Sequence, residues 1–90
     1  MEIKFSKISE NSLSNIYDYI FLHNPKAAKK AVQQIFNSIQ LIKKNPYIGI
    51  NGRVKNTREF FIPTSNYFIV YTLTNKTLYI VNIIHSARGY

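Results

Sequence analysis

The second half of the chain holds side chains of the types that metal-free RNA cleavage requires. That reaction needs a base for the ribose 2′-hydroxyl, an acid for the leaving oxygen, and cations that hold the charged phosphate. Glu59 or His85 suits the base, and His85 or Tyr90 suits the acid. Arginines can bind a phosphate through two parallel hydrogen bonds. The candidate set is Arg53, Lys55, Arg58, Glu59, His85, Arg88 and Tyr90.

Each of these residues also has a simpler interpretation. Arg58 and Glu59 can form a surface ion pair, which stabilises a fold little. His85 at a strand end can be a structural hydrogen-bonding residue, and Arg88 can bind an acidic partner. Tyr90 ends the sequence and can fray. The catalytic assignment of Arg58, Glu59, His85 and Tyr90 therefore applies only if the protein is a ribonuclease.

Other catalytic and metal sites have no counterpart in the sequence. No nucleophilic triad, P-loop, dinucleotide fingerprint or carboxylate pair occurs. There are no cysteines and only two histidines, His23 and His85. We therefore expect neither a metal ion nor a cofactor.

The charge of the chain favours an acidic partner. Twelve Lys and Arg oppose four acids, which gives a net charge of +8 over 90 residues. Such a field suits nucleic acid or an acidic protein, although a lysine-rich surface can also be unspecialised. The predicted nucleic-acid or target-binding residues are Lys43, Lys44, Arg53, Lys55, Arg58 and Arg88.

Tyr47 lies within the basic stretch 43–58, which contains no acid. Cations around an aromatic ring suit phosphate contacts combined with base stacking. In the alternative interpretation, Tyr47 and Ile48 are buried against the end of a helix pair. For these two apolar residues we favour burial.

Two helices precede this stretch. Apolar residues at helical spacing predict a first helix from Ser9, as N-cap, to about His23. Asn24-Pro25 is a strong start signal, so a second helix is predicted from Pro25 to about Lys44. The short connection makes the two helices an antiparallel hairpin.

Short strands account for most of the rest. They are predicted at 2–5, 60–62, 67–74 and 78–84, the last of them central in the sheet. In strand 67–74, Tyr67, Ile69, Tyr71 and Leu73 are expected to face the helices, and the opposite face of this strand is expected to be the wetter one. Asn82 interrupts the last strand and predicts a bulge or a hydrogen-bonded amide. The fold class is α+β, in the order β-α-α-β-β-β, with a helix hairpin on a small antiparallel sheet.

Length and composition predict one globular domain, residues 1–90, of which 46% are hydrophobic. No signal peptide or membrane-spanning run is present in the sequence, so we expect a cytoplasmic protein without a membrane partner.

Several motifs in order resemble the ParE/RelE superfamily of bacterial type II toxins, and specifically its ParE-like branch. They are LSNIYDYI (13–20), NPKAAKKAVQQIFNSIQLIKKNP (24–46), a Gly-Arg loop, TRE (57–59), NYFIVY (66–71) and IVNIIHSARGY (80–90). The resemblance covers nearly the whole chain. It implies the same helix hairpin on a small sheet.

The resemblance also implies partners and a role. A small acidic antitoxin would bind the toxin, and operator DNA would be bound only through the antitoxin. RelE-like members cleave mRNA on the ribosome, whereas several ParE-like members inhibit DNA gyrase and stabilise plasmids. The TRE and HSARGY motifs look ParE-like, so a non-enzymatic gyrase inhibitor is expected. A ribosome-dependent mRNA interferase and a non-toxic antitoxin-binding remnant are the alternatives.

Overall fold

Two helices pack on one face of a five-stranded sheet in the computed structural model, which describes residues 1–87. The strand order is β1-β5-β4-β3-β2. The elements are β1 (Glu2–Phe5), α1 (Lys7–Phe21), α2 (Pro25–Lys44), β2 (Ile50–Asn51), β3 (Arg58–Phe61), β4 (Tyr67–Leu73) and β5 (Thr77–His85). The fold is therefore α+β, as the sequence predicts.

The first helix begins earlier than predicted. Ser6 is its N-cap, because the Ser6 Oγ accepts a hydrogen bond from the Ser9 N–H at 2.9 Å. Ser9 lies inside the helix and is fully buried, and its hydroxyl donates to the Ser6 carbonyl oxygen. The prediction of Ser9 as the cap was wrong because the sequence offers serines one turn apart. The second helix has its predicted limits, with the Asn24 side chain accepting from the Ala27 N–H.

The sheet differs from the prediction at its two edges. β1 pairs with β5 in parallel, while the other pairs are antiparallel. β2, a strand of two residues, lies within the basic stretch 43–58, where no strand is predicted before residue 60. β5 lies between β1 and β4, so its predicted central position is confirmed.

A register shift in β5 keeps its apolar side chains on the helix side. Val70 pairs with Asn82 and Tyr71 with Ile80, so one extra residue, Val81, is accommodated. The Asn82 Oδ1 accepts hydrogen bonds from the Ser12 Oγ at 2.7 Å and the Ile83 N–H at 2.8 Å. The predicted bulge and the predicted hydrogen-bonded amide are both present.

The main core lies between the helices and the sheet. It includes Ile35, Ile39 and Ile42 of α2, with Ile69 and Tyr71 of β4. The face of β4 predicted to meet the helices is therefore confirmed. Its other face is not wet, since Phe68 and Val70 are buried and pack with Ile84 and Val81. Only the end of this face is wetter, where Thr72 is half-buried and Thr74 is exposed.

Candidate functional site

Arg58 joins the sheet to the loop that follows α2. Its Nη1 donates to the Gly49 carbonyl oxygen at 2.7 Å and to the Tyr47 carbonyl oxygen at 3.4 Å. The guanidinium lies over the Tyr47 ring, 4.9 Å from its centre. Its hydrogen-bond partners are neutral carbonyls, and among residues 1–87 no carboxylate forms an ion pair with Arg58.

Tyr47 is an exposed aromatic platform. Its side chain is 73% exposed and Ile48 is 41% exposed, so the predicted burial of these two residues was wrong. The physical reason is that Tyr71, and not Tyr47, reaches across the end of the helix pair to hold this loop. The Tyr47 ring is left with one face against the Arg58 guanidinium.

The Tyr71 hydroxyl fixes the backbone of the same loop. It accepts the Gly49 N–H at 2.9 Å and donates to the Pro46 carbonyl oxygen at 2.8 Å. Burial raises the pKa of the Tyr71 phenol, against the smaller opposing effects of the Gly49 hydrogen bond and the Arg58 charge. Gly49 permits the contact, since a Cβ there would lie 2.6 Å from the Tyr71 hydroxyl oxygen.

Glu59 lies on the opposite face of the sheet from Arg58. Its carboxylate is 3% exposed and accepts hydrogen bonds from the Arg53 backbone N–H at 2.9 Å and from the Arg53 Nη2 at 3.1 Å. Neighbouring strand residues point to opposite faces. The predicted Arg58–Glu59 surface pair was therefore wrong, and the ion pair is Arg53–Glu59.

Aromatic rings accompany this ion pair. The Arg53 guanidinium lies 5.1 Å from the centre of the Phe68 ring, and Phe61 stacks on Phe68 at 4.7 Å. The ion pair and the rings fix the chain between β2 and β3, which carries Lys55. Glu59 is thus engaged in holding this loop.

His85 lies at the other end of the sheet. Its Nδ1 accepts the Ala87 N–H at 3.1 Å. The ring meets Tyr67 edge-on at 5.1 Å. Both rings line a cleft of about 300 Å³ between α1 and the sheet, together with Ser12, Asn15, Ile16, Tyr19 and Ile83.

The predicted catalytic residues do not meet at one site among residues 1–87. Tyr71 pairs with Arg58, and Tyr67 pairs with His85. Arg58 and His85 are thus separated by roughly 13 Å along β4 and by two strand spacings of about 5 Å each. Arg88 and Tyr90 lie outside the described residues. Within 1–87, no group of three histidines or acids comes together that could hold a metal ion.

Two of the predicted binding residues, Lys55 and Arg58, line one groove, whereas Arg53 is engaged with Glu59 and the Phe68 ring. A groove of about 710 Å³, here called the basic groove, is lined by Tyr47, Asn51, Gly52, Lys55, Asn56, Thr57, Arg58, Thr72 and Leu73. Tyr47 also borders a second cleft, with Lys44, Asn45, Pro46 and Ile48. Lys43 and Lys44 lie in the last turn of α2, next to this loop. The polar residues Asn51, Asn56 and Thr72 were missed, since only β2 and its pairing bring them to the groove.

The described residues contain no helix long and apolar enough to cross a membrane.

Comparison with known proteins identifies the family of the chain. The model of the ParE toxin of the type II toxin–antitoxin system parDE matches residues 3–90. The protein Y4kP of Sinorhizobium fredii is 30% identical over 74 residues, which cover 82% of this chain and 76% of that protein.

Solved structures show the same fold. The chromosomal ParDE toxin–antitoxin system of P. aeruginosa matches with a TM-score of 0.85 and 23% identity, over 94% of this chain and 95% of that one. The toxin–antitoxin complex RelBE2 of Mycobacterium tuberculosis matches with a TM-score of 0.61 and 16% identity, over 93% and 95%. The family model spans nearly the whole sequence, and the chain belongs to the ParE toxin family of type II toxin–antitoxin systems.

Proposed function

We propose that this toxin stops bacterial growth by binding DNA gyrase and that it does not cleave RNA. The observation that carries the proposal is the separation of Glu59 from His85, the two acid–base candidates within residues 1–87. Arg58 and Glu59 point to opposite faces of β3, and His85 lies at the far end of β4 and β5. General acid–base catalysis requires both groups within hydrogen-bond reach of one substrate. This arrangement favours a toxin that acts by binding.

The engagement of Glu59 supports the same proposal. A general base must be free to take a proton, whereas the Glu59 carboxylate is almost fully buried against the Arg53 guanidinium and backbone N–H. Protonation there would break a buried ion pair, which is unfavourable. Glu59 is therefore better suited to structure than to catalysis.

We further propose a small acidic antitoxin as the partner that restrains the toxin. The net charge of +8 favours an acidic protein. The matched ParDE and RelBE2 structures are toxin–antitoxin assemblies by their descriptions. Operator DNA would be bound through the antitoxin, and the module would act in the bacterial cytoplasm, where it would stabilise the replicon that carries it.

Supercoiling of relaxed plasmid by purified gyrase tests the proposal. Adding the purified toxin should abolish supercoiling, and the His85→Gln variant should inhibit equally well. Glutamine keeps a hydrogen-bonding amide at this position but cannot act as an acid or base at neutral pH. Unimpaired gyrase at toxin concentrations that stop growth would refute the proposal. If His85→Gln also restored growth and full-length mRNA, a ribosome-dependent mRNA interferase would replace it.

A chain that leaves growth, gyrase and mRNA unaffected when expressed alone would be an antitoxin-binding remnant. Co-expression with the acidic protein encoded beside the toxin gene would then still give a stable complex. This outcome would contradict the toxic role and leave the partner proposal standing.

A further inference from the structure

We infer that the basic groove binds single-stranded nucleic acid, with a base stacked on Tyr47 and phosphates at Lys55 and Arg58. This binding goes beyond the proposed gyrase inhibition and does not depend on it. The inference rests on three features of the groove, which are its charge, its exposed aromatic ring and its rigidity.

Charge is the first feature. Lys55 and Arg58 line the groove, and Lys44, in the last turn of α2, lines the neighbouring cleft that Tyr47 also borders. The carboxylate closest to them in sequence, Glu59, points to the other face and is paired with Arg53. No acid within residues 1–87 lines the groove; Glu2 lies on β1, three strand spacings or about 14 Å from β3, and Glu10 and Asp18 lie on α1. Cations without a local carboxylate attract phosphates.

The second feature is the aromatic platform. Tyr47 is 73% exposed, and the Arg58 guanidinium supports one face of its ring. At this exposure the ring is accessible to a flat partner. Every nucleobase has such a face, and stacking on aromatic side chains is the usual way in which proteins hold unpaired bases. In a duplex the bases are already stacked on each other, so Tyr47 selects single strands.

The third feature is that the groove is held in shape before a ligand arrives. Tyr71 and Arg58 fix the backbone at residues 46–49 on one wall. On the other wall, the Thr72 hydroxyl donates to the Asn56 carbonyl oxygen at 2.8 Å. A ligand therefore orders little of the protein on binding, which favours affinity. The asparagine amides and threonine hydroxyls of the lining add hydrogen-bonding groups for sugars and base edges.

Fluorescence anisotropy of the purified full chain with short labelled adenine oligonucleotides tests this inference. Tyr47→Ala should weaken binding about 5- to 100-fold, the range of one base–aromatic stack. It should leave the salt dependence unchanged, because no phosphate contact is lost. Lys55→Gln should instead reduce the slope of log affinity against log salt by about 0.7, the value for one phosphate contact on a single strand.

Matched controls separate the groove from the overall charge. Lys29→Gln removes the same charge from the exposed face of α2, and Tyr19→Ala removes another exposed tyrosine. Neither should change affinity by more than about twofold. The four replaced side chains, those of Tyr47, Lys55, Lys29 and Tyr19, are all exposed. Circular dichroism would verify that each variant folds.

The result that would overturn the inference is equal weakening by the groove variants and their controls, which would mean binding by net charge alone. Duplex binding as tight as single-strand binding, or full competition by polyglutamate, would overturn it as well. DNA and RNA oligonucleotides of the same sequence are compared directly. Preference for either sugar supports the inference and identifies the nucleic acid. Because no gyrase is present, failure here does not affect the proposed function.

Discussion

Replacing Tyr71 by Phe should destabilise the toxin strongly, although the change removes one oxygen atom. The Tyr71 hydroxyl accepts the Gly49 N–H and donates to the Pro46 carbonyl oxygen. Gly49 is buried, so its N–H would lose a partner away from water, at a cost of about 1–3 kcal/mol. Pro46 is half-buried, so its carbonyl oxygen can bind water instead. Loss of this hydrogen bond should therefore destabilise the fold less, by about 0.5 kcal/mol.

The sum, roughly 1.5–3.5 kcal/mol, is large for a chain of this size. A typical 90-residue protein unfolds with about 5–13 kcal/mol. Each kcal/mol shifts the melting temperature by about 4–8 °C in this size range. Urea unfolding followed by circular dichroism measures the loss. Tyr79→Phe is the matched control, because the Tyr79 side chain is 37% exposed and its hydroxyl can bind water in both states.

A loss below about 0.5 kcal/mol for Tyr71→Phe, or one no larger than that of Tyr79→Phe, would refute the reasoning. It would mean that the loop at residues 46–49 is held by Arg58 alone.

Three further predictions concern the same framework. Burial raises the pKa of Tyr71, so the unfolded chain loses the phenol proton at a lower pH than the folded chain does. The free energy of unfolding should therefore fall above about pH 10. The slope should be at most about 1.4 kcal/mol per pH unit, up to the folded-state pKa. Urea titrations across that range should show this component, and it should be absent from Tyr71→Phe. Gly49→Ala should displace the Tyr71 hydroxyl and lower the free energy of unfolding by about 1–3 kcal/mol. Calorimetry should show a melting temperature several degrees lower. An unchanged melting temperature would show that the loop adjusts freely. Glu59→Gln should weaken the bonds to Arg53 and speed amide exchange of the Arg53 N–H, with a loss of about 1–3 kcal/mol; unchanged exchange would contradict the structural role of Glu59.

Local signals in the sequence predicted the elements well where they were strong. Asn24-Pro25 combines an N-cap with a residue suited to the first helical turn, and α2 begins there. The alternation in 67–74 placed Tyr71 and Ile69 in the core. Ser6 and Ser9 illustrate a weaker signal, because either serine can cap a helix. In addition, the first turn does not show the apolar pattern of a buried face, since Ile8 is exposed.

The candidate site depends on long-range pairing, which a single sequence does not display. Arg58 and Glu59 are neighbours in the chain, yet strand geometry sends them to opposite faces. The partner of Glu59 is Arg53, across the turn between β2 and β3, and β2 is too short to recognise from alternation. Tyr47 seemed a core residue because it is aromatic. Its exposure follows from Tyr71 and Arg58 occupying the positions that hold the loop.

We propose that the toxin stops growth without cutting RNA. Mapping of mRNA 5′ ends tests this proposal most directly. Cells would express the chain without its antitoxin, with uninduced cells as the control. We predict that growth stops while the 5′ ends on translated mRNA stay as in the control. New ends at codon-phased positions that vanish with His85→Gln or Arg58→Ala would contradict the claim and make those residues catalytic.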